Sequence, residues 1–418
     1  MRDQNRATWS LRLGLICLAA VSVSLPMAWI SLAKVLVFLC ALADLMFQRE
    51  TQRTNVAIRQ LWTPWAVMLL LLCSAGSLLW TEADPSSALV TLVKHSKLLE
   101  VSLLVLLLRT AAEAKVAVTA FACGQAFMLV SSWLMFAGLD LPWKAPTTTP
   151  YVVFSTYLDQ SVMFATSASI FWHLRTNGLW HKWLGIAGAV LALTNVFLLL
   201  EGRTGYLVAL TCVSLALMWS LPRHLRLRTF VITPMVVFGV MFVSSNQWQE
   251  RVLLVVHESQ DYAQEWDPST KSSSGWRLNA WHHSLRAIKE SPLAGHGVGA
   301  WAVAVKRIEG SAATQIFGEG NNSNPHQEYL LWGVELGLGG LLMFLATLVC
   351  MIRDALLFPR PIKRATLAVV VAILIACMFN SALYDDLMGD FLVVTLGLLM
   401  ALGTRSMAID KPQTESKA

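Results

Sequence analysis

Charge is scarce in this chain. Only 14% of its 418 residues are Asp, Glu, Lys or Arg, against about 25% in an average soluble domain. Hydrophobic residues make up 56%, and the mean hydropathy is +0.56. A soluble protein must still cover its outside with polar groups, so this scarcity excludes a soluble enzyme and a disordered chain. Pairable cysteine is missing as well. Cys17, Cys40, Cys73, Cys123, Cys212, Cys350 and Cys377 all stand inside apolar runs, and no C-x-x-C pair occurs. That excludes a disulfide framework and argues against a zinc site. There is no strict D-x-D motif, Glu82-Ala83-Asp84 and Glu265-Trp266-Asp267 being only its relatives, and no internal repeat.

Long apolar runs are abundant instead. Residues 61–80, 116–139, 183–200, 204–221, 229–249 and 365–384 are each long enough, or nearly so, to cross a bilayer. Weaker runs at 13–27, 28–47, 90–108, 157–174, 327–352 and 387–404 complete a set of about twelve. Arg2, Arg6 and Arg12 precede the first run as they would in a signal peptide, but more apolar runs follow at once, so an uncleaved first span is expected. The fold class expected is all-α: a polytopic integral membrane protein of about twelve transmembrane helices.

Basic residues decide the orientation. With the N-terminus inside and the spans alternating, the inner segments hold 20 Lys and Arg, from Arg2 to Lys417. Outside the long segment 246–325, which the rule does not weigh, the outer side holds only five. Both termini are therefore expected in the cytoplasm. The formal net charge of +6 belongs to these loops, so no nucleic-acid partner is implied. The organisation expected is 1–245 for nine spans, 246–325 for a large periplasmic loop, 326–405 for three spans and 406–418 for a cytoplasmic tail. The loop carries Trp248, Trp266, Trp276, Trp281 and Trp301. Within it, residues 276–291 have helical spacing, stopped by Pro292 and Gly295.

An outward face has no nucleoside triphosphate, so a transferase there needs a donor already activated and carried across the bilayer. A polyprenyl-diphosphate sugar fits: its diphosphate is both head group and leaving group. Such a site needs cations for the diphosphate and a base for the acceptor hydroxyl. Without a D-x-D motif the burden falls on arginine. Arg203, between two apolar runs in Glu201-Gly202-Arg203-Thr204-Gly205, is costly there and a functional candidate; its glycines would let a phosphate oxygen approach the backbone. The bland alternative is an arginine snorkelling to the interface, paired with Glu201. Arg277, in Ser274-Gly275-Trp276-Arg277, is the second candidate, or an ordinary loop arginine. Lys94 and Lys97 could meet a diphosphate or simply anchor the interface. Arg286 and Lys289 read as a solvated helix face.

Among nine histidines, His326 stands out. It follows Asn324-Pro325 at the mouth of the tenth span, with Pro325 expected in the first turn of the helix. Imidazole, with an ordinary pKa near 6.5, suits removal of a hydroxyl proton. The alternative is a capping or interfacial histidine. His282 and His283 are adjacent and cannot share one helix face, and His296 stands in a glycine-rich turn. Asp385 and Asp386, with Asp390, fall in the last outer loop, where they could orient His326 or a sugar or remain solvated.

Three motifs together, concentrated over residues 184–339, resemble the O-antigen ligase/polymerase superfamily, most closely the lipid A-core:O-antigen ligases. They are Glu201-Gly202-Arg203-Thr204-Gly205, then Trp276-Arg277-x-x-x-Trp281 leading to Ser291-Pro292-Leu293-x-Gly295-x-Gly297-x-Gly299, then Asn324-Pro325-His326-x-x-Tyr329-Leu330. The resemblance implies a GT-C-like, inverting, metal-independent glycosyltransferase of the inner membrane with a periplasmic active site. It implies no cofactor. It implies catalysis by His326 and diphosphate binding by Arg203 and Arg277, with Tyr329 and Trp276 as secondary candidates. The donor implied is an undecaprenyl-diphosphate-linked glycan and the acceptor lipid A-core, in lipopolysaccharide biosynthesis. Glu201 departs from the small polar residue common at that place. An O-antigen polymerase and a protein O-oligosaccharyltransferase share the donor; the tail, about a dozen residues past the last run, favours a ligase. A polyprenyl-glycan transporter is the rival of another class, and would bring charges buried mid-span and a pair of broken helices.

Overall fold

The computed structural model describes residues 2–47, 59–144, 149–244, 249–250, 253, 273–309 and 324–410, and everything described is helix, turn or loop without a strand. The helices are α1 (Arg2–Ser22), α2 (Met27–Phe47), α3 (Thr63–Gly76), α4 (Pro85–Ser96), α5 (Leu99–Leu107), α6 (Ala111–Phe136), α7 (Tyr157–Leu174), α8 (Lys182–Leu198), α9 (Arg203–Ser220), α10 (Arg226–Ser244), α11 (Ser273–Glu290), α12 (Trp301–Glu309), α13 (Glu328–Leu356), α14 (Arg360–Phe379) and α15 (Asp386–Asp410). Each of the twelve apolar runs is helical over most of its described residues. Five stretches, Met27–Met46, Ala111–Phe136, Glu328–Leu356, Arg360–Phe379 and Asp386–Met407, are long and apolar enough to cross a membrane. Leu11–Ser22, Thr63–Leu79 and Lys182–Leu198 are apolar but shorter. Length and hydropathy thus identify fewer than twelve spans among the described residues.

The starts of the helices follow local chemistry. Thr110 and Glu113 form a reciprocal capping box on α6, and Thr156 and Asp159 do the same on α7. Asp84 accepts the Ser86 and Ser87 amides ahead of Pro85 at the first turn of α4. Two runs behave differently from their sequence reading. Residues 90–108 form two helices rather than one span, with Lys97 and Leu98 at the break between α4 and α5. The run at 327–352 is interrupted at Gly337, whose φ of 66° and ψ of −163° lie outside the helical region.

The segment Pro292 to Gly297 seals that interruption. The His296 amide donates to the Val334 carbonyl at 2.9 Å and the Gly297 amide to that of Glu335 at 2.8 Å. The Leu338 amide in turn donates to the Pro292 carbonyl at 2.8 Å. These three bonds re-satisfy backbone groups released by the break, as an apolar setting demands. A Cβ on Gly295 would lie 2.4 Å from the Glu335 carbonyl oxygen, and one on Gly297 would lie 2.3 Å from the Thr81 Cα. The alternating glycines are therefore packing surfaces.

At the centre, α7 is buried from Asp159 through Phe171, and α15 is buried over its whole apolar window. They pack with α14, while α2 carries Leu32, Val35, Phe38, Leu39, Leu42 and Leu45 outward. An exposed apolar shell around a core containing buried polar groups suits a lipid solvent. At one end the charges are paired: Arg12 with Glu113 at 2.7 Å, and Arg109 with Asp44 at 2.5 Å. At the same end, Arg405 donates to the carbonyls of Leu108 and Val105.

Candidate active site

The site forms at the other end, where α11 lies across the start of α13 and the turn between α14 and α15. Pro325 does not open a helix. The first residue of α13 is Glu328, and Gln327 is its N-cap, accepting the Leu330 amide at 2.7 Å. His326 precedes the cap in a loop. Its φ of 49° is left-handed, a conformation rare and strained for a residue with a Cβ. The Asn324 side-chain oxygen holds it there by accepting the His326 amide at 2.9 Å. Trp281 Nε1 donates to the Pro325 carbonyl at 3.1 Å, and Gln327 donates its amide to Ser381 Oγ at 3.1 Å.

Asn380 gives the imidazole a direction. Its Oδ1 accepts the Ser381 amide at 3.0 Å, so that atom is the carbonyl oxygen. The same oxygen lies 2.8 Å from His326 Nδ1, and an acceptor there requires Nδ1 to carry the proton. The neutral ring then holds its lone pair on Nε2, which makes no hydrogen bond among the described residues. Trp276 meets the imidazole edge to face at 5.0 Å between ring centroids. Burial lowers the His326 pKa below the ordinary imidazole value. The bond to Asn380 opposes that shift, Arg277 adds to it, and the Asp385 charge opposes it.

Arg277, on α11, lies within electrostatic reach of both His326 and Arg203. Burial and then the Arg203 guanidinium lower its pKa, with Tyr157 acting the other way. No carboxylate pairs with Arg277 among the described residues. Arg203 is exposed on the first turn of α9. Two like charges brought together beside a neutral imidazole favour an anion between them. The glycines flanking Arg203 have a different use from the one expected. A Cβ on Gly202 would meet Ser161 Oγ at 2.0 Å, and one on Gly205 would meet it at 2.2 Å. They let α9 approach α7, with Ser161 filling the side on which a Cβ would stand.

The secondary candidates divide. Trp276 is in the site. Tyr329 points away, its hydroxyl donating to the Leu374 carbonyl at 3.0 Å and its ring against Phe344. Lys97 is buried and committed, donating to the Asp385 carbonyl at 2.6 Å and lying 4.0 Å from Asp390. Lys94 lies 3.5 Å from Asp386 and over the Tyr384 ring. Asp385 and Asp386 thus belong to a charged strap holding the α14–α15 turn; burial raises the Asp385 pKa, which Lys97 opposes. Asp390 is buried inside α15 and paired with Lys34 at 2.7 Å, so it is no loop residue.

Two residues absent from the sequence reading belong to the site. Asn380 was hidden because residues 365–384 read as one uncharged run, whereas α14 stops at Phe379 with Asn380 as its C-cap. Glu328 is buried and accepts the amides of Leu383 and Tyr384 and the Trp332 indole. It locks the Asn380 turn to the His326 loop. His296 and His283 are engaged elsewhere. His296, in the glycine-rich turn, is buried and bonded to the Ala287 carbonyl and to Glu82 at 2.9 Å each. His283 pairs with Glu309 at 2.9 Å, and His282 is exposed. Among the described residues no three His, Cys, Asp or Glu side chains converge as metal ligands would. Trp248, Trp266, Glu265 and Asp267 lie outside the described residues.

No curated protein matches this chain. The family model of the O-antigen ligases matches residues 187–345, from α8 to the middle of α13. That stretch contains Arg203, Arg277 and His326, and over it the chain is similar to the O-antigen ligases.

Proposed function

We propose that the protein is a lipid A-core:O-antigen ligase. It transfers a glycan from undecaprenyl diphosphate to a terminal sugar of lipid A-core, with inversion and without a metal, on the periplasmic face of the inner membrane. The observation that carries this reading is the His326–Asn380 pair, which leaves Nε2 as a base beside Arg277. Nε2 removes the proton of the acceptor hydroxyl. The hydroxyl oxygen attacks the anomeric carbon from the face opposite the diphosphate. The bond from that carbon to the diphosphate oxygen breaks, and its electron pair leaves with the diphosphate. Arg203 and Arg277 hold the charge that develops there, each worth on the order of 2–4 kcal/mol in the transition state. Trp276 offers an aromatic face to a sugar ring next to the base.

The test is transfer by purified protein supplied with polyprenyl-diphosphate glycan and lipid A-core. Glycan appearing on lipid A-core supports a ligase. Extension of the polyprenyl-linked glycan alone would make the protein a polymerase, and transfer to neither would remove both the ligase and the polymerase readings.

A further inference from the structure

A second concentration of charge lies at the opposite ends of α9 and α14. Helix α9 has 18 residues, about 27 Å at 1.5 Å per residue, so this region stands close to a bilayer's hydrocarbon thickness away from Arg203. There Arg223, Arg226, Arg360, Lys363 and Arg364, with Trp219, line a cavity of about 430 Å³.

Topology alone explains basic residues at one end of a membrane protein. It does not explain their lack of acidic partners here. Elsewhere at this end Arg12, Arg109 and Arg353 are each paired with a carboxylate within 2.7 Å. None of the five cavity cations has a carboxylate within salt-bridge distance among the described residues, and no acid lines the cavity. Arg226 and Arg364 spend one bond each on the carbonyls of Leu221 and Trp219. Arg175, Arg226 and Arg360 all bear electrostatically on Arg364.

The start of α14 adds a separate mismatch. Its first five residues include Arg360, Lys363 and Arg364; its first turn has no acid; and its N-cap, Pro359, makes no side-chain bond. The positive end of a helix dipole is thus crowded with positive charge. An anion in the cavity would offset that charge. Arginine forks match phosphate oxygens in particular. Leu217 and Leu227, beside the cavity in sequence, are exposed apolar residues suited to acyl chains.

We propose that this cavity is a binding site for a phosphate-bearing anion, supplied either by an anionic phospholipid headgroup or by soluble phosphate or diphosphate. The site is independent of the transfer reaction at the other end. Delipidated full-length protein in a neutral detergent tests it, by native mass spectrometry and thermal melting. The probes are cardiolipin, phosphatidylglycerol, phosphatidylcholine, inorganic phosphate and inorganic diphosphate. Arg223→Gln/Lys363→Gln is the informative variant, because neither side chain is bonded to the protein among the described residues. The expected result is retention of cardiolipin by wild type over phosphatidylcholine, with a raised melting temperature. Each cation is worth about 1 kcal/mol against an anionic lipid, so the double variant should hold cardiolipin about thirtyfold more weakly. If inorganic diphosphate displaces the lipid and stabilises alone, the source is soluble; if it does neither, the source is the lipid. Should the double variant fail to fold, Arg223→Gln alone should weaken binding about fivefold. Equal retention by the variants and wild type, or no stabilisation by any phosphate-bearing probe, would overturn the site.

Discussion

An imidazole can present either ring nitrogen, and the partner of one decides what the other can do. At His326 that partner is Asn380, whose own orientation is set by the Ser381 amide. Asn380→Leu removes the acceptor and leaves Nδ1 unanchored. Losing such a bond at a buried group costs about 1–3 kcal/mol, so turnover should fall roughly 5- to 150-fold, read from kcat with purified protein. Asn380→Asp instead places a carboxylate beside Nδ1, which favours imidazolium and should move the acid limb of the pH profile upward. Arg203→Ala and Arg277→Ala should each lower kcat/KM by about 30- to 1,000-fold, with poor rescue by Lys, which lacks the bidentate fork. Near-normal turnover of both alanine variants would move the diphosphate elsewhere. With arginines in that role, chelation should leave transfer intact, and activity regained only with added Mg²⁺ or Mn²⁺ would contradict it. Arg203 and His326 were legible because each is an unusual residue at the end of an apolar run, and Arg277 because of the Trp276-Arg277-x-x-x-Trp281 motif. Asn380 was not, because nothing in a single run of residues reveals which oxygen will meet a loop 54 positions away.

At the scale of elements, hydropathy locates helices but not their interruptions. Gly337 sits among Gly333, Gly339 and Gly340 in an otherwise apolar run, and no local signal distinguishes the one that breaks α13. The break is fixed by tertiary contact: a Cβ at Gly337 would lie 2.7 Å from the Leu293 carbonyl carbon and oxygen. Gly337→Ala should therefore cost about 1–3 kcal/mol, visible as a lower melting temperature in detergent; an unchanged melt would contradict the break. Gly202 separates two physical roles. Packing against α7 predicts that Gly202→Ala destabilises by about 1–3 kcal/mol and that Ser161→Gly recovers much of it. A phosphate contact would instead leave stability intact and raise only the KM for the donor. The division at Lys97 was likewise invisible, because an apolar window spans it, and the partners that pull Lys97 inward lie on α15 and the turn before it.

At the scale of the whole molecule, the chain separates two poles. His326, Arg277, Arg203 and Asn380 gather at one, and the basic ends of α9, α10 and α14 at the other. Composition made the all-helical class and the polar ends legible, since few charges can enter lipid; helix pairing depends on contacts no hydropathy profile contains. Single cysteines placed in a cysteine-free background test the sidedness. With an impermeant reagent on intact spheroplasts, His282→Cys should label and His224→Cys should label only after lysis; the reverse would invert the orientation. The proposed base brings the pole and its chemistry together, and one measurement tests it most directly: the pH dependence of kcat/KM for wild type and His326→Gln. Because burial lowers the His326 pKa, the neutral base forms as pH rises through a value below the ordinary 6.5. The wild-type rate should climb through that region and level off above it. His326→Gln should lie about 10²–10⁴-fold lower, without that limb. A variant that keeps most of the wild-type rate and the same acid limb would contradict the account.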